Sequence, residues 1–503
     1  MPNVRRYALF AMALVASPAC AQRVAVSEAT GSVTRVQEIP ITTASTSART
    51  HFTVGEKLLD VGRPREAYPH FQIAVEQDPT FAYGYLNLAF ASPSTQEFKE
   101  NLDRAAANLA GKSEGERLRV EIARTFLENN AQRRLELAQT LVKAYGSSPR
   151  AWIVLGNAQA ALNQHAEARA SFGRAVALDP TMFLAQTALG FSYLFNDPRD
   201  LTKAKQYMEN AIATEPNEAK GYEFLGDVNR AMNRLEDARA AYTRATEKDP
   251  KLAVAVLKKG HINSFLGNYG EARSAYDAAI KEGKEADKIT YGVFRAYTHV
   301  HAGQPREAVE ELRAVARSAD AGIPSKQITG AKGFALVSAV QIALHNDLLD
   351  EAERVLAEYA PVVRADAQAV NDADNTRLTE AGILSWESQL AARRGKFDAA
   401  LAKANEHKRL VENDKNPRRF EQYHALLGLI ELRKKEFAQA VSHYRQANLA
   451  DIYAKYHLAL ALEGAGQSAE ARKLFQEVAT WNFNSAGFAL TRRDAMRRAV
   501  AAN

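Results

Sequence analysis

The sequence predicts an all-α protein, specifically an α-solenoid of stacked antiparallel helix pairs. Nearly the same string recurs at 65–79, 166–180 and 236–250, each copy with alanine, an aromatic residue four positions later, alanine three further on and proline five beyond. Further along the chain, the marker alanine returns at steps of 36, 34, 34 and 36 residues: Ala168, Ala204, Ala238, Ala272 and Ala308. A period of about 34 residues is that of a helix-turn-helix repeat.

Residues 1–21 have the pattern of a secretion signal. Arg5 and Arg6 precede the apolar run YALFAMALVA, and the small residues at 19–21 form a cleavage site. We therefore expect export to the periplasm or secretion. Cleavage removes Cys20, the single cysteine, so the mature chain would have no disulfide. A lipid anchor on Cys20 is the alternative, which the preceding Ser-Pro pair disfavours.

The overall composition excludes some classes of partner. The 65 basic and 59 acidic residues are interspersed and give a formal net charge of +6, which is weak support for nucleic-acid binding. After the signal, no stretch approaches the apolar length of a membrane-spanning helix. The sequence thus favours a protein or peptide partner, with no nucleic acid and no transmembrane segment.

The N-terminal part of the chain is predicted to be a linker followed by helix pairs. Residues 22–47 are rich in Ser and Thr without helical period, which predicts a flexible linker. An array of helix pairs then fills 48–320. Within it, 82–147 is degenerate because it lacks the glycine and the aromatic pairs of the other copies.

The C-terminal part continues the repeats less regularly. A divergent array is expected at 321–485, where longer steps between marker alanines predict inserted loops around 321–330 and 361–375. Residues 486–503 should form a capping helix. Its four arginines are expected to face solvent: Arg492, Arg493, Arg497 and Arg498.

Each predicted pair has the same internal signals. A glycine in the first helix marks where the two helices approach closely, at Gly156, Gly226 and Gly260. Glycine or asparagine marks the turn between them, at Asn163, Asn233, Gly267 and Gly303. Proline ends the second helix because it lacks the amide hydrogen that the next turn requires, at Pro180, Pro216 and Pro250.

These residues resemble the tetratricopeptide repeat family, with three close copies at 48–81, 149–182 and 219–252. The resemblance implies a scaffold whose first helices line a concave face that binds a protein or peptide. Some members clamp a peptide carboxylate with Lys and Asn on first helices. Only Asn157 matches here, and Ile153 stands where the lysine is expected, so that type of recognition is not supported.

The same resemblance predicts which side chains line the groove. Residues that follow the first-helix glycine or its alanine equivalent, or that lie one turn later, form an aromatic strip, which charged residues interrupt. The predicted groove residues are Asn157, Phe191, Phe195, Glu223, Asp227, Arg230, His261, Phe265, Tyr297 and His301. Such a strip suits the apolar anchors of a peptide. The alternative interpretation is that aromatic residues at helical spacing belong to the core.

No catalytic, cofactor or metal motif stands out. The GKS at 111–113 lacks the earlier glycine of a phosphate loop, and His299 and His301 point in nearly opposite directions on a helix. The sequence therefore predicts a non-enzymatic scaffold. Two alternatives remain open: an accessory protein of envelope or exopolysaccharide assembly, and a hydrolase with a site within 318–380.

Overall fold

A computed structural model describes residues 24–25, 34–35, 38–283, 285–319 and 325–500, and their side chains at 38–283, 287–319 and 330–500. The described residues form 25 α-helices in two units, which divide between Gly221 and Tyr222. The predicted signal, with Cys20, lies outside the described residues, as do most of the linker's first half and residues 321–324.

The N-terminal unit, up to Gly221, contains five antiparallel helix pairs. Its helices are α1 (Thr46–Asp60), α2 (Pro64–Gln77), α3 (Ala82–Ala91), α4 (Thr95–Ala107), α5 (Glu114–Leu127), α6 (Ala131–Ala144), α7 (Pro149–Ala161), α8 (His165–Leu178), α9 (Phe183–Phe195) and α10 (Leu201–Thr214). The degenerate stretch 82–147 therefore contains four whole helices, α3 to α6, which are two of the five pairs. Arg63 lies in the turn between α1 and α2 and pairs at 2.8 Å with Glu218, which follows α10. The first and last parts of this unit therefore contact each other.

The C-terminal unit, from Tyr222 onward, contains seven pairs and a final helix. Its helices are α11 (Ala219–Ala231, shared with the first unit), α12 (Leu235–Lys248), α13 (Ala253–Leu266), α14 (Tyr269–Glu282), α15 (Glu285–Ala302), α16 (Pro305–Ser318), α17 (Ser325–His345), α18 (Leu349–Val370), α19 (Ala373–Arg393), α20 (Phe397–Val411), α21 (Phe420–Lys434), α22 (Phe437–Tyr444), α23 (Ile452–Gly464), α24 (Ser468–Ala479) and α25 (Ala486–Val500). The final helix packs on α24 and also touches α15, α17 and α23.

The recurring residues form the contact within each pair, as the sequence predicts. The marker triads are buried: Ala67, Phe71 and Ala74; Ala168, Phe172 and Ala175; Ala238, Tyr242 and Ala245. At Gly156, an added Cβ would lie 2.5 Å from Phe172 Cε1, so only glycine lets the two helices approach this closely. The same close contact between glycine and ring recurs at Gly55, Gly226 and Gly260.

The predicted turn and stop signals also lie where the helices end. Asn163 and Asn233 have φ of 62° and 58°, and Gly267 and Gly303 have 84° and 80°. This left-handed conformation is accessible to glycine and is adopted by asparagine more readily than by other side chains. Helices α8, α10 and α12 end two residues before Pro180, Pro216 and Pro250.

Three expectations about irregular segments differ from the structure. Of the loop predicted around 321–330, the described residues 325–330 already belong to α17. Residues 361–375, predicted as a loop, are helical except at 371–372, because α18 continues through Pro361 and α19 begins at Ala373. The extra residues therefore lengthen a helix pair. Residues 38–45, assigned to the flexible linker, are held in place: Thr42 donates from its backbone N and Oγ1 to the Glu116 carboxylate at 2.8 and 2.7 Å.

Two short strands precede the helices without altering the all-α class: β1 (Val24–Ala25) and β2 (Thr34–Arg35) pair antiparallel, with Val24 opposite Arg35. Of the helices described, none combines the length and the apolarity needed to cross a membrane.

Candidate functional site

Three of the predicted groove residues lie in the N-terminal unit. Phe191 and Phe195 are on α9, one turn apart, and their rings stack with centroids 5.8 Å apart. Phe191 is buried, whereas Phe195 and Asn157 are half-buried. In this unit the expected i, i+4 aromatic pair therefore forms, and one of its two rings retains partial exposure.

The charged residues predicted to interrupt the aromatic strip form a buried network in the C-terminal unit. Asp227 accepts hydrogen bonds from Arg230 Nη2 at 2.8 Å and from the Tyr242 hydroxyl at 2.7 Å. Lys258, on α13, contacts both Asp227, at 2.5 Å, and Glu223. Burial raises the pKa of Tyr242 well above its ordinary value. These charges are neutralised by one another inside the unit.

Two predicted histidines meet on a single side chain from the C-terminal segment. Asn484 Nδ2 lies 3.2 Å from His261 Nδ1 and also donates to the Tyr276 hydroxyl at 3.2 Å. On its other side, Asn484 Oδ1 lies 3.2 Å from His301 Nε2. We call this arrangement of Asn484 between His261, Tyr276 and His301 the asparagine clamp.

The environment of the clamp keeps both histidines neutral. Desolvation lowers the pKa of His301 to about 4. Desolvation also lowers the pKa of His261 well below its usual value, and the nearby cations Arg230 and Lys258 lower it further. A neutral imidazole can accept a hydrogen bond at one ring nitrogen and donate at the other. The amide of Asn484 offers both a donor and an acceptor, which matches this need.

The predicted aromatic residues of the C-terminal unit pack against the same segment. Phe265 lies 6.4 Å from the His261 ring and meets Phe488 of α25 edge to face at 5.3 Å. The Arg492 guanidinium lies 5.5 Å from the Phe265 ring. Upstream, Phe483 lies under the Arg230 guanidinium at 4.5 Å. Rings that were expected to receive a partner therefore receive residues 483–492.

Tyr297 is fully enclosed and bonds to a neighbouring helix rather than facing a groove. Its hydroxyl lies 2.8 Å from Ser338 Oγ on α17. His299, two residues before His301, turns to the Gln304 amide oxygen at 2.9 Å. His299 and His301 thus contact different partners, as their helical spacing predicts.

The expected open groove is accordingly corrected for the C-terminal unit. Seven of the predicted residues are at most 8% exposed: Glu223, Asp227, Arg230, His261, Phe265, Tyr297 and His301. The physical reason is that residues 482–492 cover Arg230, His261, Phe265 and His301. Lys258 contacts Glu223 and Asp227, and Ser338 of α17 contacts Tyr297. The alternative interpretation, that aromatic residues at helical spacing belong to the core, describes this unit in the state seen here.

The residues that fill this face were not predicted from the sequence. Asn482 is fully buried, and its amide donates to the Arg230 backbone oxygen at 3.1 Å and to Asn233 Oδ1 at 2.8 Å. Arg492, expected to face solvent, is half-buried, and desolvation lowers its pKa. The terminal helix was predicted, but its local pattern does not indicate that residues 482–492 contact helices 183 to 252 residues earlier in the chain.

A second buried polar group lies on the first helices of the N-terminal unit, at positions that the sequence analysis did not single out. Arg150 forms a two-pronged ion pair with Asp60, at 2.8 and 2.6 Å. Glu56 is buried nearby, and desolvation raises its pKa. Among the described residues, Nε and Nη1 of the buried Arg119 have no hydrogen-bond partner. The interior of this unit is therefore polar as well as apolar.

Comparison with family models identifies the repeated pairs. Models described as tetratricopeptide repeat match residues 149–182, 197–253, 253–282 and 453–480. These matches fall in both units, and the last one includes most of the pair α23 and α24.

Similar curated proteins include "Anaphase-promoting complex subunit 3" of Schizosaccharomyces pombe, 25% identical over 181 residues, which are 36% of this chain and 27% of that protein. "Protein bimA" of Emericella nidulans is 29% identical over 120 residues, 24% of this chain and 15% of its own. The chain therefore spans only about a quarter or less of either relative.

Similar solved structures include the APC/C hetero-tetramer Cut9-Hcn1, with 14% identity and a TM-score of 0.39 over 85% of this chain and 75% of that one. A tetratricopeptide repeat protein from Parabacteroides merdae has 16% identity and a TM-score of 0.34 over 56% of this chain and 98% of its own.

Proposed function

Because this chain is a tetratricopeptide-repeat protein, we propose that it is a non-enzymatic scaffold that binds a protein or peptide partner on the faces of its first helices. We place this activity in the periplasm or outside the cell, since residues 1–21 have the pattern of a secretion signal. The partner belongs to the cell envelope or to the exported fraction in this proposal.

One observation supports the proposal above the others. Residues 481–485 have no regular secondary structure and lie against first helices of the C-terminal unit through side-chain amides and a ring. This is how an extended peptide binds a repeat face: apolar anchors supply contact area, while directed hydrogen bonds fix the register. The repeat face thus has the chemistry that peptide binding requires.

The test uses a photo-crosslinking amino acid at single positions of the full chain, expressed with its signal. Asn157 and Phe195 are half-buried residues of first helices, and Arg174 is an exposed residue of the second helix α8. We expect the same partner adduct from positions 157 and 195, and none from 174, because a crosslinker reaches only a few ångströms. Adducts are identified by mass spectrometry of the exported fraction.

Two results would count against the proposal. Equal yields of the same adduct from positions 157, 195 and 174 would show contact without a preferred face. Recovery of the chain from the cytoplasmic fraction, with residues 1–21 retained, would refute the location. N-terminal sequencing of the recovered chain distinguishes these cases, since cleavage at the expected site leaves Gln22 first.

A further inference from the structure

Residues 482–492 of the C-terminal unit occupy a surface built by helices far away in the sequence. Asn482, Asn484 and Phe488 are the three anchors, spaced two and four residues apart. The first two lie in the extended part and the third in the first turn of α25. Asn482 contacts α11, whereas Asn484 and Phe488 both contact α13 and α15.

The contacts of these anchors are specific for side-chain chemistry. Asn482 donates hydrogen bonds to the Arg230 backbone oxygen and to the Asn233 amide oxygen, at the end of α11. In the asparagine clamp, the Asn484 amide nitrogen contacts His261 Nδ1 and the Tyr276 hydroxyl, and its amide oxygen contacts His301 Nε2. Phe488 fills the space beside Phe265. Alanine at 484 would leave Nε2 of the buried His301 without the Asn484 amide oxygen, which costs free energy.

We propose that residues 482–488 are an intramolecular ligand of this face, and that the face recognises a partner segment carrying Asn, an aromatic residue, Asn and, four positions later, Phe. This inference rests on the proposed scaffold function and names its partner chemistry and its regulation. The chain's own segment and the partner segment compete for the same anchors. Partner binding therefore requires the asparagine clamp to open.

Competition with the chain's own segment determines how tightly a free peptide is expected to bind the face. A tethered segment acts at an effective concentration on the order of millimolar, so the wild-type face is occupied and a free peptide binds weakly. Removing a tethered anchor raises the fraction of open faces. A hydrogen bond contributes on average about a fivefold change in an equilibrium constant, and alanine at 484 removes three contacts, so we expect at least a tenfold gain in peptide affinity.

The experiment measures fluorescence anisotropy of a labelled synthetic peptide with the sequence of residues 480–492, TWNFNSAGFALTR, titrated with the full chain. The variants are Asn484→Ala and, for a second weakening of the segment, Phe483→Ala, which removes the ring under Arg230 from a half-buried position. The matched control is Asn108→Ala, at the end of α4, whose amide also donates a hydrogen bond. A second peptide has alanine in place of both asparagines.

We expect Asn484→Ala to bind the first peptide at least tenfold more tightly, and Phe483→Ala at least about twofold more tightly, than the wild-type chain and the Asn108→Ala variant. Both should bind the alanine peptide no better than wild type does. Equal affinity of all four chains would overturn the inference, as would equal binding of both peptides. Dimers of Asn484→Ala without peptide binding would also overturn it, because the occupant would then be a second copy.

Helix content by circular dichroism shows whether each variant folds, and Phe483→Ala keeps the test decisive if Asn484→Ala does not. Failure here is separable from failure of the scaffold function. If wild type still forms crosslinks from positions 157 and 195 while no variant gains peptide affinity, the scaffold stands and the segment competition does not.

Discussion

Asp227→Ala is expected to lower the free energy of unfolding of the C-terminal unit by about 3–5 kcal/mol, because breaking a buried ion pair leaves its partner charges uncompensated. The substitution leaves Arg230 without its carboxylate partner, leaves Lys258 with Glu223 alone, and removes the acceptor of the Tyr242 hydroxyl. Urea titration followed by circular dichroism measures the effect.

The matched control for this substitution is Asp277→Ala in the same unit. Asp277 pairs with Arg295 at 2.6 Å, but its side chain is 56% exposed, so its loss should cost about 0–1 kcal/mol. A loss for Asp227→Ala as small as that for Asp277→Ala would contradict the buried network. The comparison also bears on binding experiments, since a variant at 227 would lose a partner through unfolding rather than through a lost contact.

Acid is expected to destabilise the C-terminal unit by several kcal/mol between pH 6.5 and 4. Desolvation lowers the pKa of His301 and His345 to about 4 and of His457 to about 3. The folded state therefore prefers the neutral ring, while the unfolded chain takes up protons from about pH 6.5 downward. Stability is complete above that pH and is lost as the pH falls toward the folded pKa values.

A single variant isolates one part of this pH dependence. His301→Gln cannot titrate, and its amide can still donate to Asn484, so its unfolding free energy should fall less steeply than that of wild type between pH 6.5 and 4. A shift of this size is worth up to about 3 kcal/mol at 1.36 kcal/mol per pKa unit. Urea titrations at several pH values give both curves. Parallel curves would show that His301 is not held neutral by the fold.

The repeat architecture could be predicted from sequence because its signals are local. Ala168, Phe172 and Pro180 lie within one helix and its end, so one helical hairpin determines what each position needs. One copy of the pattern is weak evidence for the fold, but several consistent copies together are strong evidence. The helical continuation through Pro361 was not predicted, because the longer step between marker alanines was interpreted as an inserted loop, whereas α18 continues past the proline.

The contents of the candidate site could not be predicted, because they depend on contacts between distant parts of the chain. The positions of His261, Phe265 and His301 on first helices follow from the repeat spacing. That Asn484 lies between two of them depends on how seven helix pairs stack, which determines where α25 arrives. The exposed or buried state of a repeat face is thus a property of the whole unit rather than of one repeat.

The central claim is that residues 482–492 fill the first-helix face of the C-terminal unit, and amide hydrogen exchange on the full wild-type chain tests it most directly. The expected result is that amides of the second turn of α25, from Ala489 onward, which donate to backbone oxygens one turn earlier, exchange as slowly as those of α13, against which this segment packs. Exchange of those amides near the rate of an unstructured peptide, with α13 still protected, would contradict it.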